Sequence, residues 1–147
     1  MKAFIQRVKN ASVSVNGEII SSIGAGALVL LGVTHTDTYL DARYVAEKIC
    51  DLRFFEDASG KTNLSINDIN GSVIVVSQFT LYADTRHGRR PGFSKAAKSC
   101  QANALYEHVV EILRARLGAD RVGTGEFGAE MQVSLLNDGP FSLEVES

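Results

Sequence analysis

Two cysteines, two prolines and no tryptophan occur among 147 residues. Cys50 and Cys100 form no Cys-x-x-Cys pair, which excludes a disulfide-stapled scaffold and a redox motif. Both fall at helical positions among apolar neighbours, and a reduced core cysteine is expected at each. The histidines His35, His87 and His108 lack metal-ligand spacing, so no metal is expected. No apolar run approaches the roughly 18 residues that span a bilayer. The longest, Ala25 to Val33, carries two glycines and reads as a buried strand. The opening Met1-Lys2-Ala3-Phe4 has no signal-peptide hydrophobic segment, and a cytoplasmic location away from membranes is expected. The common catalytic signatures are missing too: no GxSxG elbow, no P-loop, no HExxH. Gly24-Ala25-Gly26 lacks a third glycine and leads into a strand, so no dinucleotide, and no cofactor of any kind, is expected. A net charge of −2 excludes bulk binding of nucleic acid, and no DNA partner is expected.

What remains is an ordinary globular mix, 45% hydrophobic and 22% charged, of a length that suits one domain over residues 1–147. Phe4 to Val8 and Ala11 to Val15 read as strands. Asn16-Gly17 is a strong two-residue hairpin signal before Glu18 to Ile23. Ala27 to Val33 is apolar on both faces, as in a central strand. A helix is predicted from near Tyr39 to Leu52, with Thr38 as N-cap and Ala42, Val45, Ala46, Ile49 and Cys50 on one face. Arg53 to Glu56 is strand-like. Val73 to Leu81 reads as a second buried strand, and a Gly/Arg/Pro-rich loop follows from Asp84 to Gly92. A long helix then ends near Leu117, stopped by Gly118. The tail, Met131 to Leu136 and Phe141 to Val145, reads as a strand pair interrupted by Asn137-Asp138-Gly139-Pro140. About eight strands and two main helices predict an α+β fold: a curled, mostly antiparallel sheet or barrel partly covered by helices.

Three stretches carry candidate chemistry. From Asp84 to Lys98 the chain holds Arg86, Arg89, Arg90, Lys95 and Lys98 against one acid, a local excess that suits phosphate contact at one place; a solvated loop accounts for it equally well. Ser77-Gln78 puts polar groups in an otherwise aliphatic strand, where an unsatisfied amide costs about 1 to 3 kcal/mol. A structural polar network explains that as readily as a site does. Asn137-Asp138-Gly139-Pro140 reads as a plain turn, with a cis Gly-Pro bond accessible. Ser77, His87 and Asp84 make a triad on paper, although no spacing demands it.

Ser77-Gln78-Phe79-Thr80-Leu81 and Asn137-Asp138-Gly139-Pro140-Phe141-Ser142 resemble the two motifs, SQFTL and Asn-x-Gly-Pro-x-Thr, of the D-aminoacyl-tRNA deacylase family. The similarity extends along the whole chain, through Ile5-Gln6-Arg7-Val8, Leu30-Leu31-Gly32-Val33, Phe93-Ser94-Lys95 and Met131-Gln132-Val133. Ser142 replaces the family's usual threonine, Thr62 its common methionine and Gly92 a frequent serine. None of these removes a group assigned below.

The resemblance implies hydrolysis of the ester in D-aminoacyl-tRNA by a homodimer with active sites at its interface. Ser77, Gln78, Phe79 and Thr80 would form the catalytic segment. Gly139 and Pro140, with Asn137, would enter from the partner as a cis main-chain wall that excludes L side chains. Glycine offers no side chain to exclude, so glycyl-tRNA, including glycine mischarged on tRNA(Ala), is expected to be cleaved. Met131 and Ala102 match positions of an adenine pocket, Phe79 would orient the terminal adenosine, Phe93 would also bind substrate, and Arg7 would brace the Gly-Pro motif. Arg86, Arg89, Arg90, Lys95 and Lys98 would touch tRNA phosphates. The implied chemistry uses backbone N–H groups near Phe79 and Thr80 as an oxyanion site and the ribose 2′-hydroxyl to assist water. Thr80 as a covalent nucleophile is the rival scheme, and it lacks an obvious adjacent base. A non-catalytic nucleic-acid-binding relative and a small-metabolite Ser/His esterase are the alternative functions.

Overall fold

A computed structural model describes all 147 residues. Its first strand, β1 (Lys2–Val15), is a single run of 14 residues where the sequence suggested two. Asn16 and Gly17 then adopt φ of 52° and 84°, the left-handed geometry of a tight hairpin turn, and β2 (Glu18–Ile23) returns antiparallel along the far half of β1. The chain bends into β3 (Gly26–Gly32), which pairs antiparallel with the near half of β1.

Thr38 caps α1 (Tyr39–Asp51) as predicted. Its hydroxyl accepts from the Leu40 N–H at 3.2 Å, while Asp41 accepts from the Thr38 N–H at 2.7 Å, so two unpaired donors of the first turn are satisfied reciprocally. A small ribbon of β4 (Arg53–Glu56) and β5 (Thr62–Ser65) follows. The chain then re-enters the main sheet as β6 (Ser72–Ser77), parallel to β3. After α2 (Ser99–Leu117), β7 (Val122–Thr124) extends the parallel edge, and β8 (Gln132–Glu146) runs antiparallel along the whole other side of β1.

The large sheet is therefore mixed, antiparallel around β1 and parallel from β3 to β7. The two strands that are apolar on both faces, β3 and β6, are the ones paired in parallel and buried on both sides, which is where such sequences belong. One face carries the larger core: Ala3, Ile5, Val29, Leu31, Val73 and Val75 meet Val45, Ile49, Val109 and Leu113 of the helices. The other face curls around Val8, Ala11, Val13, Leu28, Ile74 and Val76.

Several expectations are corrected. Strand β6 stops at Ser77 and does not continue to Leu81, because β3 ends at Gly32 and leaves no partner beyond the bond from Gln78 N–H to the Leu31 carbonyl at 2.7 Å. Phe79–Tyr82 is a 3-10 turn. The tail is one strand of 15 residues, not an interrupted pair. Asn137 to Pro140 is no turn between strands, since β1 pairs with β8 on both sides of it. Cys50 is buried, but Cys100 is exposed at the start of α2; its helical position does not face the core.

Candidate active site

A cavity of about 580 Å³ opens where β6 ends, between the 3-10 turn, α2 and the Phe127–Met131 segment. The turn of the chain at Ser77 and Gln78 places both side chains on its wall and sets Phe79 at the mouth, 55% exposed. Phe93 meets Phe79 edge to face, with ring centroids 5.0 Å apart. Ala102 of α2 and Met131 complete the wall together with Tyr106 and Phe127. The Tyr106 hydroxyl donates to the Val75 carbonyl at 2.9 Å, and burial pushes its phenol up to about 12. Tyr106 keeps its proton at physiological pH and commits it to that carbonyl, so it serves the cavity as wall.

Thr80 is exposed and lies off the cavity wall. Its hydroxyl oxygen accepts a hydrogen bond from the Gln78 side-chain amide. A carboxamide nitrogen is a donor only, so this contact does not supply the base that a nucleophilic hydroxyl requires. Phe79 and Thr80 open the 3-10 turn, where first-turn N–H groups have no acceptor within the turn itself.

Gly139 and Pro140 do not line the cavity of their own chain. Between the pairs Gln6↔Ser142 and Val8↔Asn137, β1 supplies one residue, Arg7, and β8 supplies four, Asp138 to Phe141. The surplus stands out as a wide bulge with Asn137, Gly139 and Pro140 exposed. The Gly139-Pro140 peptide bond is cis and Gly139 has φ of 124°. Arg7 holds this bulge and is not the surface strand charge its position allows; it is only 5% exposed. Its Nε donates to the Asp138 carbonyl at 3.0 Å and its Nη1 to the Phe54 carbonyl at 2.9 Å. Its guanidinium lies 5.0 Å from the Phe141 ring centroid, within cation–π range, with the carboxylates of Asp138 and Glu56 at 3.5 and 3.6 Å.

Arg86, Arg89, Arg90, Lys95 and Lys98 are all exposed. The loop is pinched at its base by reciprocal backbone bonds between Asp84 and Gly92, at 2.7 and 2.9 Å. Arg86 clasps Asp84 through Nε at 2.9 Å and Nη2 at 2.5 Å, and this holds the Asp84 carboxyl far below the usual carboxylate range. Arg89, Arg90, Lys95 and Lys98 have no carboxylate within salt-bridge distance. The paper triad is not assembled, because Arg86 occupies Asp84 and His87 is an exposed loop residue making no side-chain bond to Asp84 or Ser77.

Sequence reasoning missed the groups that seat this loop against the pocket. The Thr34 hydroxyl donates to the Lys95 carbonyl at 2.6 Å, and His35 Nε2 lies 2.8 Å from the Ser94 carbonyl. Neither position has a sequence signal, since each partner is a backbone carbonyl about 60 residues away. Tyr106 and Phe127 were missed for a similar reason: their apolar character marks them as core before it marks them as pocket wall. No group of three or more His, Cys, Asp or Glu side chains is placed to hold a metal ion, and no helix is long and apolar enough to cross a membrane.

A family model described as D-Tyr-tRNA(Tyr) deacylase matches residues 4–146. The D-aminoacyl-tRNA deacylase of Geobacillus sp. (strain WCH70) is 54% identical over 147 residues, covering 100% of this chain and 95% of the relative. That of Thermus aquaticus is 55% identical, with the same coverage of both chains. Among solved structures, the c-Myc DNA Unwinding Element Binding Protein superposes with a TM-score of 0.95 at 44% identity, covering 100% of this chain and 99% of that one. A eukaryotic protein described as a probable D-amino acid tRNA deacylase shares the fold, with a TM-score of 0.88 at 17% identity and coverage of 99% and 98%. On a match that runs nearly end to end and relatives identical at more than half their aligned positions, this chain belongs to the D-Tyr-tRNA(Tyr) deacylase family.

Proposed function

We propose that the protein hydrolyses the ester linking a D-amino acid to the terminal ribose of tRNA, releasing the D-amino acid and free tRNA in the cytoplasm. The observation that carries this reading is the cavity rimmed by Ser77, Gln78 and Phe79 in a chain of this family. An aromatic-lined cavity with few polar groups suits a stacked adenine, with Phe79 and Phe93 at its mouth and Ala102 and Met131 within. The ester is an activated bond, and its hydrolysis needs an oxyanion site more than a strong nucleophile. The N–H groups of Phe79 and Thr80 meet that need, and the neighbouring ribose 2′-hydroxyl assists the attacking water.

Handedness is read by main chain. The exposed bulge at Asn137 to Pro140 is donated to the cavity of a second copy in a homodimer. There the carbonyls of Gly139 and Pro140 block an L side chain and leave room for hydrogen or a D side chain. Arg89, Arg90, Lys95 and Lys98 take tRNA phosphates, with Arg86 beside them. The test is hydrolysis of D-tyrosyl-, L-tyrosyl- and glycyl-tRNA side by side, including glycine carried by tRNA(Ala). Release of D-tyrosine and glycine with the L ester intact is expected; a resistant glycyl ester would remove the wall from the mechanism. Light scattering is expected to give twice the chain mass, and a monomer that still discriminates would remove the donated bulge.

The name of the 44%-identical structural relative favours a second reading, binding of DNA. A protein that shields D-tyrosyl-tRNA from hydrolysis and retains duplex DNA at 0.15 M salt would replace the enzymatic reading with that one.

A further inference from the structure

Gly125 stands directly after β7, and its backbone does not call for glycine: its φ is not among the positive ones. What glycine provides there is space. The Gly125 N–H donates to the Val75 carbonyl at 2.9 Å, the same oxygen that the Tyr106 hydroxyl reaches at 2.9 Å. The main chain is thus held against β6. A Cβ at this position would lie 2.5 Å from Met131 Sδ and 3.6 Å from Val76 Cγ2, and both of those residues line the cavity. Non-bonded carbon contacts settle near 3.5 to 4.0 Å, so the sulfur would have to move by about 1 Å.

We propose that Gly125 is a positioning residue that determines how wide the cavity is. The side chain it lacks leaves the space in which the Met131 thioether lies, and the thioether is thereby kept back from the group the cavity holds. Since the Val75 bond holds the main chain, any side chain at 125 displaces Met131. Its unbranched, freely rotating chain swings toward the cavity, where there is room. The flat, base-like ligand rests on the functional reading above; the contact between Gly125 and Met131 does not.

The sequence contains only two methionines, Met1 and Met131, so carbon-13 labelling of methionine methyl groups yields two signals. In Gly125→Ala the Met131 signal moves and that of Met1, buried in the larger core, stays. KM for D-tyrosyl-tRNA rises on the order of tenfold with kcat unchanged, a coupling of the size seen between touching residues. Against a Met131→Ala background the same substitution changes KM by less than about twofold. A Met131 signal that does not move, or an equal KM penalty with and without the thioether, overturns the proposal. Should Gly125→Ala fail to fold, the Gly125→Ala/Met131→Ala double variant decides: restored folding supports the contact, and a second failure places the fault in the backbone and overturns it. Wild-type protein inert toward D-tyrosyl-tRNA would end the functional reading, while the methyl signal would still decide the claim about Gly125.

Discussion

Arg7 and Arg86 each meet an aspartate, Asp138 in one case and Asp84 in the other, in settings that share little else. Arg86 is 69% exposed in its side chain and clasps a residue two positions away. Its pair is shorter and closer to ideal geometry than anything Arg7 makes with a carboxylate. Arg7 is 6% exposed in its side chain, its carboxylate contacts are long, and its good bonds go to two carbonyls on strands far apart in sequence. The exposed pair is screened and competes with water. The buried guanidinium satisfies the Asp138 carbonyl while packing on Phe141, so it organises the bulge around it. Distance alone would rank these two arginines in the wrong order; burial and the identity of the acceptor rank them correctly.

The sharpest way to break that contrast is to remove each side chain. Arg7→Ala is expected to lower stability by about 2 to 3 kcal/mol, since the Phe54 carbonyl is left buried and unpaired and the packing on Phe141 is lost. It is also expected to lower the preference for D- over L-tyrosyl-tRNA by on the order of tenfold, since the main-chain wall that excludes the L side chain loses its brace. Chemical denaturation and single-turnover rates measure the two, and wild-type values for both would refute the assignment. Gly139→Ala probes the same bulge from the other side. With φ at 124° and the new Cβ 3.0 Å from Arg7 Nη2, it should cost about 1 kcal/mol or more, visible as a lowered denaturation midpoint.

On the exposed side the effects shrink. Arg89→Ala and Arg90→Ala should each leave the melting curve in place and raise KM several-fold at 0.15 M salt. Each should reduce the slope of log affinity against log salt by about one. Arg86→Ala should change that slope less than either, because Asp84 already neutralises it; an equal change would mean that Asp84 releases Arg86 to the RNA. The smallest effect is expected at Thr80. Thr80→Ala should retain near-normal turnover, while a tRNA ending in 2′-deoxyadenosine should not be hydrolysed. Total loss in Thr80→Ala would restore the covalent scheme.

Much of the fold was legible because it is written in local chemistry. Thr38 marks the start of its helix as an N-cap, Asn16-Gly17 makes its hairpin alone, and the two-sided apolar runs of β3 and β6 identify central strands. The misreadings came where a partner strand, not the segment itself, decides. Val73 to Leu81 reads as one strand despite the polar Ser77-Gln78, yet it stops at Ser77 because β3 stops. The two halves of the tail look like a hairpin around Asn137-Asp138-Gly139-Pro140, and they are one strand because β1 is long enough to pair with both. Cys100 shares the helical neighbourhood of the core and faces solvent. Of the candidate site, the family motifs pointed to Ser77, Gln78, Phe79, Phe93, Ala102 and Met131, and the cavity brings these six together. Thr34 and His35 were not found because what they touch is backbone, and Tyr106 and Phe127 because an apolar side chain marks core before it marks pocket wall.

By itself the sequence determined the composition of the core, both ends of α1, the C-terminal end of α2, the hairpin and the residues that carry the family's motifs, since each depends on neighbours within a few positions. The tertiary structure decided that Arg7 is buried, that four residues of β8 stand opposite one of β1, and that Gly139 and Pro140 lie away from their own cavity. Those outcomes turn on register and on which strand lies beside which. Both are settled by packing energies summed over the whole sheet and not by any stretch of it.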